Sequence, residues 1–291
     1  AELDHLEHQI NSSSNNYPYF QFQSAYTQLS NTKPYPTYTA LDRLLPYPFL
    51  LSSSLTVIHT TDKLGKSFLT QELFIKLILK YYTQGIVFID CTNVFPAYEL
   101  IEATIDMNSL LDPQLPIRSV QLSRSFNYHQ ATEVITEHLE PLVRDGFPIN
   151  LDDKNEDYTV NIKPKFVILA GLSDLYLNQE SSQYLGYDGR PEWFSIFELQ
   201  HALGFLKSLA IKYSLIPIIT TSTAPLSNTK PLGGSFLTHS SSQLIKISSE
   251  GNGLYGELVK HPFAKSKRVL LQLLRMKDKK YISRRLASYL R

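Results

Sequence analysis

The hydrophobic pattern from residue 55 onward alternates short apolar runs with longer amphipathic ones. In the first such unit, three of the four residues 55–58 are apolar, a polar turn follows, and an amphipathic helix is predicted to begin at Ser67. Short, continuously apolar runs are typical of parallel strands buried on both faces. The further strands predicted in this way are 85–90, 117–122, 166–169 and 216–220, and the predicted helices are 96–107, 128–144 and 191–213.

The end of the chain breaks this alternation. Three strands are predicted near residues 244–247, 254–259 and 269–274 with no helices between them, which indicates an antiparallel edge. Repeated strand–helix units predict an α/β fold whose mostly parallel sheet has helices on both faces. The acidic segment 146–163 is predicted to be a solvated surface loop.

The first 40 residues are polar and rich in Tyr, Pro, Asn and Ser, and they predict an arm or linker without a core of its own. A helical turn is expected at 41–45, where Pro46 ends it. The predicted organisation is therefore an arm over 1–40, a core over 41–275 and a basic C-terminal helix over 276–291.

Composition narrows the class of protein. The 291 residues include one cysteine, Cys91, which excludes an internal disulfide framework and is expected to be an inert core residue. No apolar run reaches the length of a membrane span, no signal peptide is visible, and no His/Cys/Asp/Glu cluster shows metal-ligand spacing. Eleven of the 28 Lys and Arg residues, but one of the 27 acids, lie in 260–291, which suggests a polyanion or an acidic partner for that end.

The turn after the first strand contains half of a phosphate-binding motif. Gly65, Lys66 and Ser67 match the end of GxxxxGK[ST], in which backbone N–H groups and the Lys hold phosphates and the hydroxyl holds magnesium. The first glycine is replaced by Thr60, and Asp62 places a carboxylate where a triphosphate would lie. We expect weak phosphate or ATP binding at most, and an ordinary strand-to-helix turn is the alternative.

Five further segments stand out in one order along the chain. They are GIVFIDCTNVF at 85–95, SRSFNYHQ at 123–130, YDGR at 187–190, KPLGG at 230–234 and THS at 238–240. In the same order, they resemble five parts of the RadA/RecA-type recombinase core of the archaeal and eukaryotic branch: its second strand, its Ala-Arg-Ala-Phe-Asn-x-x-His-Gln segment, its first DNA-binding loop and two segments after its second DNA-binding loop. The resemblance spans about residues 40–275 and implies a RecA-like, P-loop-derived core.

The chain keeps Gly65, Lys66 and Ser67 but departs from the family at four sites of hydrolysis, the first of which is Thr60. Thr92 stands where the resemblance implies the catalytic Glu, and Ser222 where it implies the γ-phosphate-sensing Gln. The strand 166–169 ends in Ala170 rather than in the magnesium-holding acid, and Asp174 comes four residues too late. Loss of a general base alone costs about 10²–10⁴ in rate. We therefore expect a pseudo-ATPase with no catalytic residue, no metal and no required cofactor.

The arm carries a short motif with a partner-binding interpretation. Phe22 and Ala25 form an FxxA sequence, which in these recombinases adds a strand to the sheet of a neighbouring protomer. The resemblance implies that both side chains fill pockets on a partner. A disordered or self-packed arm is the alternative.

The C-terminal segment predicts an amphipathic helix. Ile282, Leu286, Tyr289 and Leu290 form one apolar stripe, and basic residues occupy another face. This face can contact DNA phosphates without reading bases, although a docked helix with a solvated basic side is the alternative. Arg190, in the segment that resembles the first DNA-binding loop, and Lys230, next to the second, could extend this surface. The residues assigned to DNA binding are Arg190, Lys230, Lys277, Lys279, Lys280, Arg284 and Arg285.

Residues 1–40 do not show the family's N-terminal helical DNA-binding domain, and with this the resemblance implies a non-hydrolysing recombinase paralogue, similar to subunits of the fungal Shu complex. Such a protein would bind DNA and other paralogues or the active recombinase, assist filament formation in homologous recombination, and act in the nucleus, or in the cytoplasm of an archaeon. An active ATP-dependent paralogue with divergent motifs, and a structural subunit of another RecA-like assembly, are alternatives. An unrelated P-loop kinase is the third alternative, against which Gly233 and the segment 187–190 argue.

Overall fold

An eight-stranded sheet forms the centre of the computed structural model, which describes residues 33–45, 49–106, 114–150, 159–175, 193–224 and 230–273. In the order of the sheet, the strands are β12-β11-β10-β3-β9-β8-β4-β5. The six strands from β10 to β5 are mutually parallel, and β11 and β12 extend the β10 side in antiparallel pairs. The twelve strands labelled in the described residues are β1 Pro34–Tyr35, β2 Leu50–Leu51, β3 Thr56–Thr60, β4 Ile86–Asp90, β5 Val120–Arg124, β6 Phe147–Asn150, β7 Thr159–Ile162, β8 Phe166–Ala170, β9 Ile216–Ser222, β10 Gln243–Glu250, β11 Gly253–Lys260 and β12 Lys267–Leu273.

Helices connect the parallel strands, as βα units require. Two of the helices, α1 and α4, contain a central stretch of π-helical geometry. The helices are α1 over Lys63–Phe68, Leu69–Phe74 and Ile75–Tyr81; α2 over Ala97–Asp106; α3 over Leu115–Arg118; α4 over Tyr128–Glu133, Val134–His138 and Leu139–Asp145; α5 over Trp193–Tyr213; and α6 over Gly234–Ser240. Short 3₁₀ turns occur at Ala40–Leu44 and Tyr82–Gln84.

Alternate side chains of the central strands divide the core into two layers. Ile58 of β3 and Phe88 of β4 lie in one layer with α1, and Val57 and Val87 lie in the other with α4 and α5. All residues of β3, β4 and β8 are buried, because helices cover both faces of these strands. The predictions of an α/β fold, a mostly parallel sheet and an antiparallel edge are confirmed.

Three local predictions are wrong. The segment 146–163 contains the antiparallel pair β6–β7 instead of only a loop, because Phe147 and Ile149 are buried on one side of β6. The strand predicted at 117–122 begins at Val120, since Pro116 opens the short helix α3 before it. The helix α1 begins at Lys63, four residues before the predicted start at Ser67.

The residues just before position 41 pack on the core. Tyr35 lies in β1, and its ring meets the rings of Tyr81 and Phe166 edge-on, each with centroids 5.9 Å apart. The Tyr81 hydroxyl donates a hydrogen bond to the carbonyl of Pro36 (2.8 Å). Residues 34–40, which the sequence analysis assigned to the arm, therefore belong with the core unit. Within the described parts of the chain, no helix has the length and apolar character needed to cross a membrane.

Candidate functional site at the junction of β3 and α1

The β3–α1 connection consists of two residues, Thr61 and Asp62, because β3 extends to Thr60 and α1 starts at Lys63. The sequence analysis predicted a longer loop reaching to Ser67. Gly65, Lys66 and Ser67 instead form part of the first helical segment, whose geometry fixes the directions of their N–H groups. The extended loop that wraps phosphates in a GxxxxGK[ST] motif is therefore absent from this junction.

Asp62 is the N-cap residue of α1. Its Oδ1 accepts a hydrogen bond from the Gly65 N–H (2.8 Å). Its Oδ2 accepts from the N–H and the hydroxyl of Ser249 (2.9 and 2.7 Å), and from the hydroxyl of Thr61 (3.1 Å). Burial alone would raise the pKa of the Asp62 carboxyl, but these hydrogen bonds outweigh burial and lower the pKa below its ordinary value. A carboxylate of the chain itself thus lies where helix N-termini bind anions.

Gly65 has a packing role in this arrangement. A Cβ added at Gly65 would lie 2.9 Å from Cβ of Thr60 and 3.2 Å from Cγ2 of Ile247. Both distances are shorter than ordinary van der Waals contact, so the glycine lets α1 approach β3 and β10 closely. The next N–H group, that of Lys66, donates to the Asp62 carbonyl (3.2 Å). The N–H groups of Gly65 and Lys66 are therefore already engaged by Asp62.

The side chains of Lys66 and Ser67 also have partners within the chain. Lys66 Nζ lies 3.8 Å from Oδ2 of Asp174, and the lysine side chain is about half exposed (51%). The Ser67 hydroxyl donates to Oε1 of Gln71, one turn along the helix (3.0 Å). The three predicted nucleotide-binding residues thus lie together, each engaged by a group of the protein.

Asp174 is a site residue that the sequence analysis set aside as too far from the end of its strand. Residues 172–175 turn helically directly after β8. This turn brings the Asp174 carboxylate to Lys66. One signal in the sequence could have identified Asp174 as a site residue. It is an acid that follows the buried strand β8 by about one helical turn, and ligand sites in parallel sheets lie beyond the carboxyl ends of the strands.

A small cavity lies beside this ion pair, at the carboxyl ends of β3, β4, β8 and β9. Its volume is about 140 Å³, below the roughly 300–1,000 Å³ of ordinary ligand pockets. The hydroxyls of Thr60 and Thr221 are buried there without a hydrogen-bond partner. The remaining lining residues are Lys66, Leu69, Thr70, Phe74, Thr92, Val94, Gly171, Asp174 and Thr220.

Thr92 fills the space above Gly171. Gly171 has φ +76°, and a Cβ there would lie 2.2 Å from Cγ2 and 2.6 Å from Oγ1 of Thr92. The acid that ends β4, Asp90, is buried, and its carboxylate accepts hydrogen bonds from the N–H groups of Thr92, Val94 and Phe95 (3.2, 3.0 and 2.9 Å). Asp90 therefore holds the loop that presents Thr92.

The other positions singled out by the resemblance lie at the ends of neighbouring strands. Ala170 is the last residue of β8, and Ser222 is the last residue of β9. The Ser222 carbonyl accepts from the N–H of Leu232 (2.8 Å), which ties the strand end to the segment after 225–229. Ala170 and Ser222 thus lie at the same edge of the sheet as Lys66. The acid and the glutamine that the resemblance implies at these two strand ends are replaced by Ala170 and Ser222.

His59 was missed by the sequence analysis. It is fully buried in β3, where Nδ1 lies 2.8 Å from the Thr223 hydroxyl and Nε2 has no hydrogen-bond partner. Burial, with a smaller contribution from the charge of Lys246, lowers the pKa of the imidazole to about 4. His59 is therefore neutral at pH 7. Its burial could not be predicted from an apolar–polar alternation, because every position of β3 is buried and the strand shows no such alternation.

Two further groups of titratable residues lie outside this cavity. Burial, together with the charges of Asp90 and Asp174, raises the pKa of the Cys91 thiol to about 12, which makes this thiol unreactive. On α4, Glu133, Glu137 and His138 bring three potential metal ligands within 4.8 Å of one another, a spacing that the sequence analysis did not recognise. All three are exposed, and exposed acidic groups of this kind are common without an ion.

Of the residues predicted to bind DNA, Lys230 lies within the described residues, where its side chain is exposed and its carbonyl accepts from the N–H of Ala224 (2.9 Å). The others lie outside the described residues, and so do the predicted partner-binding residues Phe22 and Ala25. Those DNA-assigned residues are Arg190, Lys277, Lys279, Lys280, Arg284 and Arg285.

Comparison with known proteins gives no assignment for this site. No protein-family model matches the chain, and no curated protein matches it with significance.

Proposed function

We propose that the chain is a non-hydrolysing, RecA-like recombinase paralogue that binds DNA and partner paralogues and assists recombinase filament formation in DNA repair. The order of the five resembling segments supports the family. The α/β sheet supports it further, since the positions equivalent to catalytic ones meet at one edge of that sheet. The absence of hydrolysis rests above all on one observation, the Asp62 carboxylate bound to the Gly65 N–H at the N-terminus of α1.

Two carboxylates of the chain satisfy the groups that would hold phosphates. Asp62 accepts from the Gly65 N–H, and Asp174 lies beside the Lys66 ammonium. An entering triphosphate would have to displace both, and Asp62 would then lose four hydrogen bonds. With Thr92 in place of a general base, hydrolysis would also lack a group to orient the attacking water. These features favour a subunit whose role is assembly.

Partner binding is the first experimental consequence. We expect Phe22→Glu to weaken capture of partner subunits by at least about 2 kcal/mol, the scale of an interface hot spot, because it places a charge in an apolar pocket. Co-purification of the tagged full chain from native cells, with quantification of each co-purifying protein, measures this. Tyr26→Glu, which adds the same charge outside the FxxA residues, is the matched control. Unchanged partners in Phe22→Glu would contradict the assignment.

DNA binding is the second consequence. We expect Lys280→Glu combined with Arg284→Glu to weaken DNA binding at least tenfold, about 1.4 kcal/mol. Each Lys or Arg that neutralises a phosphate releases counterions from the DNA, and this favourable contribution is lost when the cation is removed. Binding should be nearly independent of sequence, and its log–log salt slope should be roughly −0.7 per phosphate bound on single strands and −0.9 on duplex. Arg190→Ala alone should have a smaller effect.

Fluorescence anisotropy titrations at two salt concentrations test this surface, with Lys76→Glu combined with Lys80→Glu on α1 as a control of equal charge change. An unchanged affinity in the double reversal, or a wild-type affinity indifferent to salt, would place DNA contact elsewhere or on a partner. Such a result would favour the alternative of a structural subunit without a DNA role.

A further inference from the structure

A second cavity lies at the carboxyl ends of β4 and β5. Its volume is about 430 Å³, which falls within the roughly 300–1,000 Å³ of ordinary ligand pockets. Residues 90–93 after β4 form one wall, residues 124–126 after β5 form another, and Leu175 completes the lining. The cavity shares Thr92 with the smaller one beside Lys66, but it contains neither Lys66 nor Asp174. The proposed function does not use it.

Both loops that line this cavity are fixed by hydrogen bonds. The Asp90 carboxylate holds the loop after β4 through the three N–H groups named above. The Asp90 carbonyl accepts from the N–H of Ser125 (3.0 Å), which ties the loop after β5 to the first loop. The N–H of Phe126 donates to Oε1 of Gln130 in the first turn of α4 (2.9 Å). The cavity is therefore formed in advance, which lowers the entropy cost of binding a ligand.

The ring of Phe126 is an exposed part of the cavity lining. It is 78% exposed, the largest fraction among the large hydrophobic side chains of the described residues. Its backbone is held by the hydrogen bond to Gln130, so the ring projects from a fixed position. An exposed aromatic face is the group on which unstacked bases stack in single-strand binding proteins, each such contact contributing about 1–3 kcal/mol.

The charges of the cavity differ between its interior and its outer side. Asp90 is buried, so an anion in the interior would be repelled by its carboxylate. Arg124 is exposed at the end of β5, and within the described residues no acid forms an ion pair with it. A ligand that fits this division has a neutral planar body and an anionic end. A nucleotide has this construction, because its base is neutral and its phosphate is anionic.

Two further polar groups of the lining suit the edge of a base. The Asn93 side chain is exposed on a backbone of left-handed conformation (φ +55°), which asparagine tolerates. The Ser125 hydroxyl is buried without a hydrogen-bond partner in the part of the chain that the structure describes. A buried hydroxyl of this kind costs stability until a ligand supplies a partner. An amide and a hydroxyl can each donate and accept, so neither selects one base alone.

We propose that this cavity holds one nucleotide of single-stranded DNA, with its base stacked on Phe126 and its phosphate at Arg124. The base edge then faces Asn93 and Ser125. Duplex DNA does not enter, because its bases are already paired and stacked. The inference rests on the proposed function in taking DNA as the source of the nucleotide. It adds contact with a base to a DNA surface that was argued from phosphates alone.

Photo-cross-linking of the full chain tests the contact with the base. The probe is a single-stranded oligothymidine with one iodouracil, which couples to a stacked aromatic side chain under near-ultraviolet light. We expect mass spectrometry to find the cross-link at Phe126, and Phe126→Ala should lower the cross-linked fraction about tenfold. Phe263→Ala, which removes a ring of similar exposure (72%) between β11 and β12, is the matched control and should change nothing. A cross-link confined to other residues would overturn the proposal.

Affinity measurements separate this cavity from the basic surface. We expect Phe126→Ala to weaken single-strand binding about tenfold and to leave duplex binding unchanged, whereas Lys280→Glu with Arg284→Glu should weaken both. Arg124→Gln should reduce the magnitude of the log–log salt slope by about 0.7 on single strands and leave the slope on duplex unchanged, because one phosphate contact is lost. Unchanged single-strand affinity in Phe126→Ala, in a chain that binds duplex, would refute the base contact and leave the proposed DNA function standing.

The source of the nucleotide is tested with the free monophosphate of iododeoxyuridine in place of the strand. We expect it to cross-link to Phe126 far less than the strand does at the same concentration, because a strand adds phosphate contacts elsewhere on the protein. Equal cross-linking would mean that the ligand is a free nucleotide and would overturn the assignment to a strand. A chain that binds neither single strand nor duplex would overturn this inference together with the proposed function.

Discussion

Gly171→Ala is expected to destabilise the chain by about 4 kcal/mol. The new Cβ would lie 2.2 Å from Cγ2 of Thr92, and the backbone at Gly171 has φ +76°, where an L side chain is strained. Overpacking a buried site costs about 1–3 kcal/mol, and the left-handed conformation adds about 1–2 kcal/mol. Equilibrium unfolding in urea, followed by circular dichroism, measures the loss.

Thr92→Ala provides the matched background for this substitution. Removing Cγ2 and Oγ1 of Thr92 leaves Cβ as the nearest atom, at 3.0 Å. The penalty of Gly171→Ala should therefore fall by about 1–2 kcal/mol in the Thr92→Ala background, as a coupling energy between residues in contact. Equal penalties in both backgrounds, or a loss below about 1 kcal/mol, would mean that Thr92 does not fill this space.

Asp62→Ala is expected to cost about 3 kcal/mol of unfolding free energy. The change removes the N-cap of α1, worth about 1 kcal/mol, and the charged oxygen that accepts from the N–H and the hydroxyl of Ser249, where a bond to a charged acceptor contributes about 1.5–3 kcal/mol net of its exchange with water. The same urea unfolding experiment measures it.

Asp62→Asn is the control for charge. Asparagine keeps the shape and the cap acceptor but loses the charge and places an amide donor towards Ser249, so about half of the loss should remain. Ser249→Ala should cost less than Asp62→Ala, because the cap bond to Gly65 survives. If Asp62→Ala left stability within about 0.5 kcal/mol of wild type, the carboxylate would not hold the junction.

The sequence predicted the sheet well because its strands carry strong signals. Short continuous apolar runs rich in β-branched residues, such as 86–89 and 166–169, favour buried strands, and both are buried strands. The β6–β7 pair was missed because the acidic residues after Ile149 outweighed the alternation of Phe147 and Ile149. The acidic composition of the segment indicated a loop, whereas the strand β6 is recognisable only once its pairing with β7 is known.

The site was predicted in part, for a different physical reason. Asp62 was recognised as unfavourable to phosphate, but its other property, an N-cap three residues before Gly65, was overlooked. That cap starts the helix early and removes the loop. Asp174 lies close to Lys66 because the segment after β8 and the helix α1 come together at one edge of the sheet. A contact between residues so far apart in sequence cannot be predicted from local sequence patterns.

We propose that the carboxylates of Asp62 and Asp174 occupy the places of nucleotide phosphates, and we therefore expect no ATP hydrolysis. The most direct measurement is steady-state phosphate release by the purified chain, with and without DNA, compared with Lys66→Ala. We expect wild type and Lys66→Ala to release phosphate at indistinguishable rates, and we expect DNA to stimulate neither. A release rate that DNA stimulates and that Lys66→Ala abolishes would contradict it and would establish an active ATP-dependent paralogue.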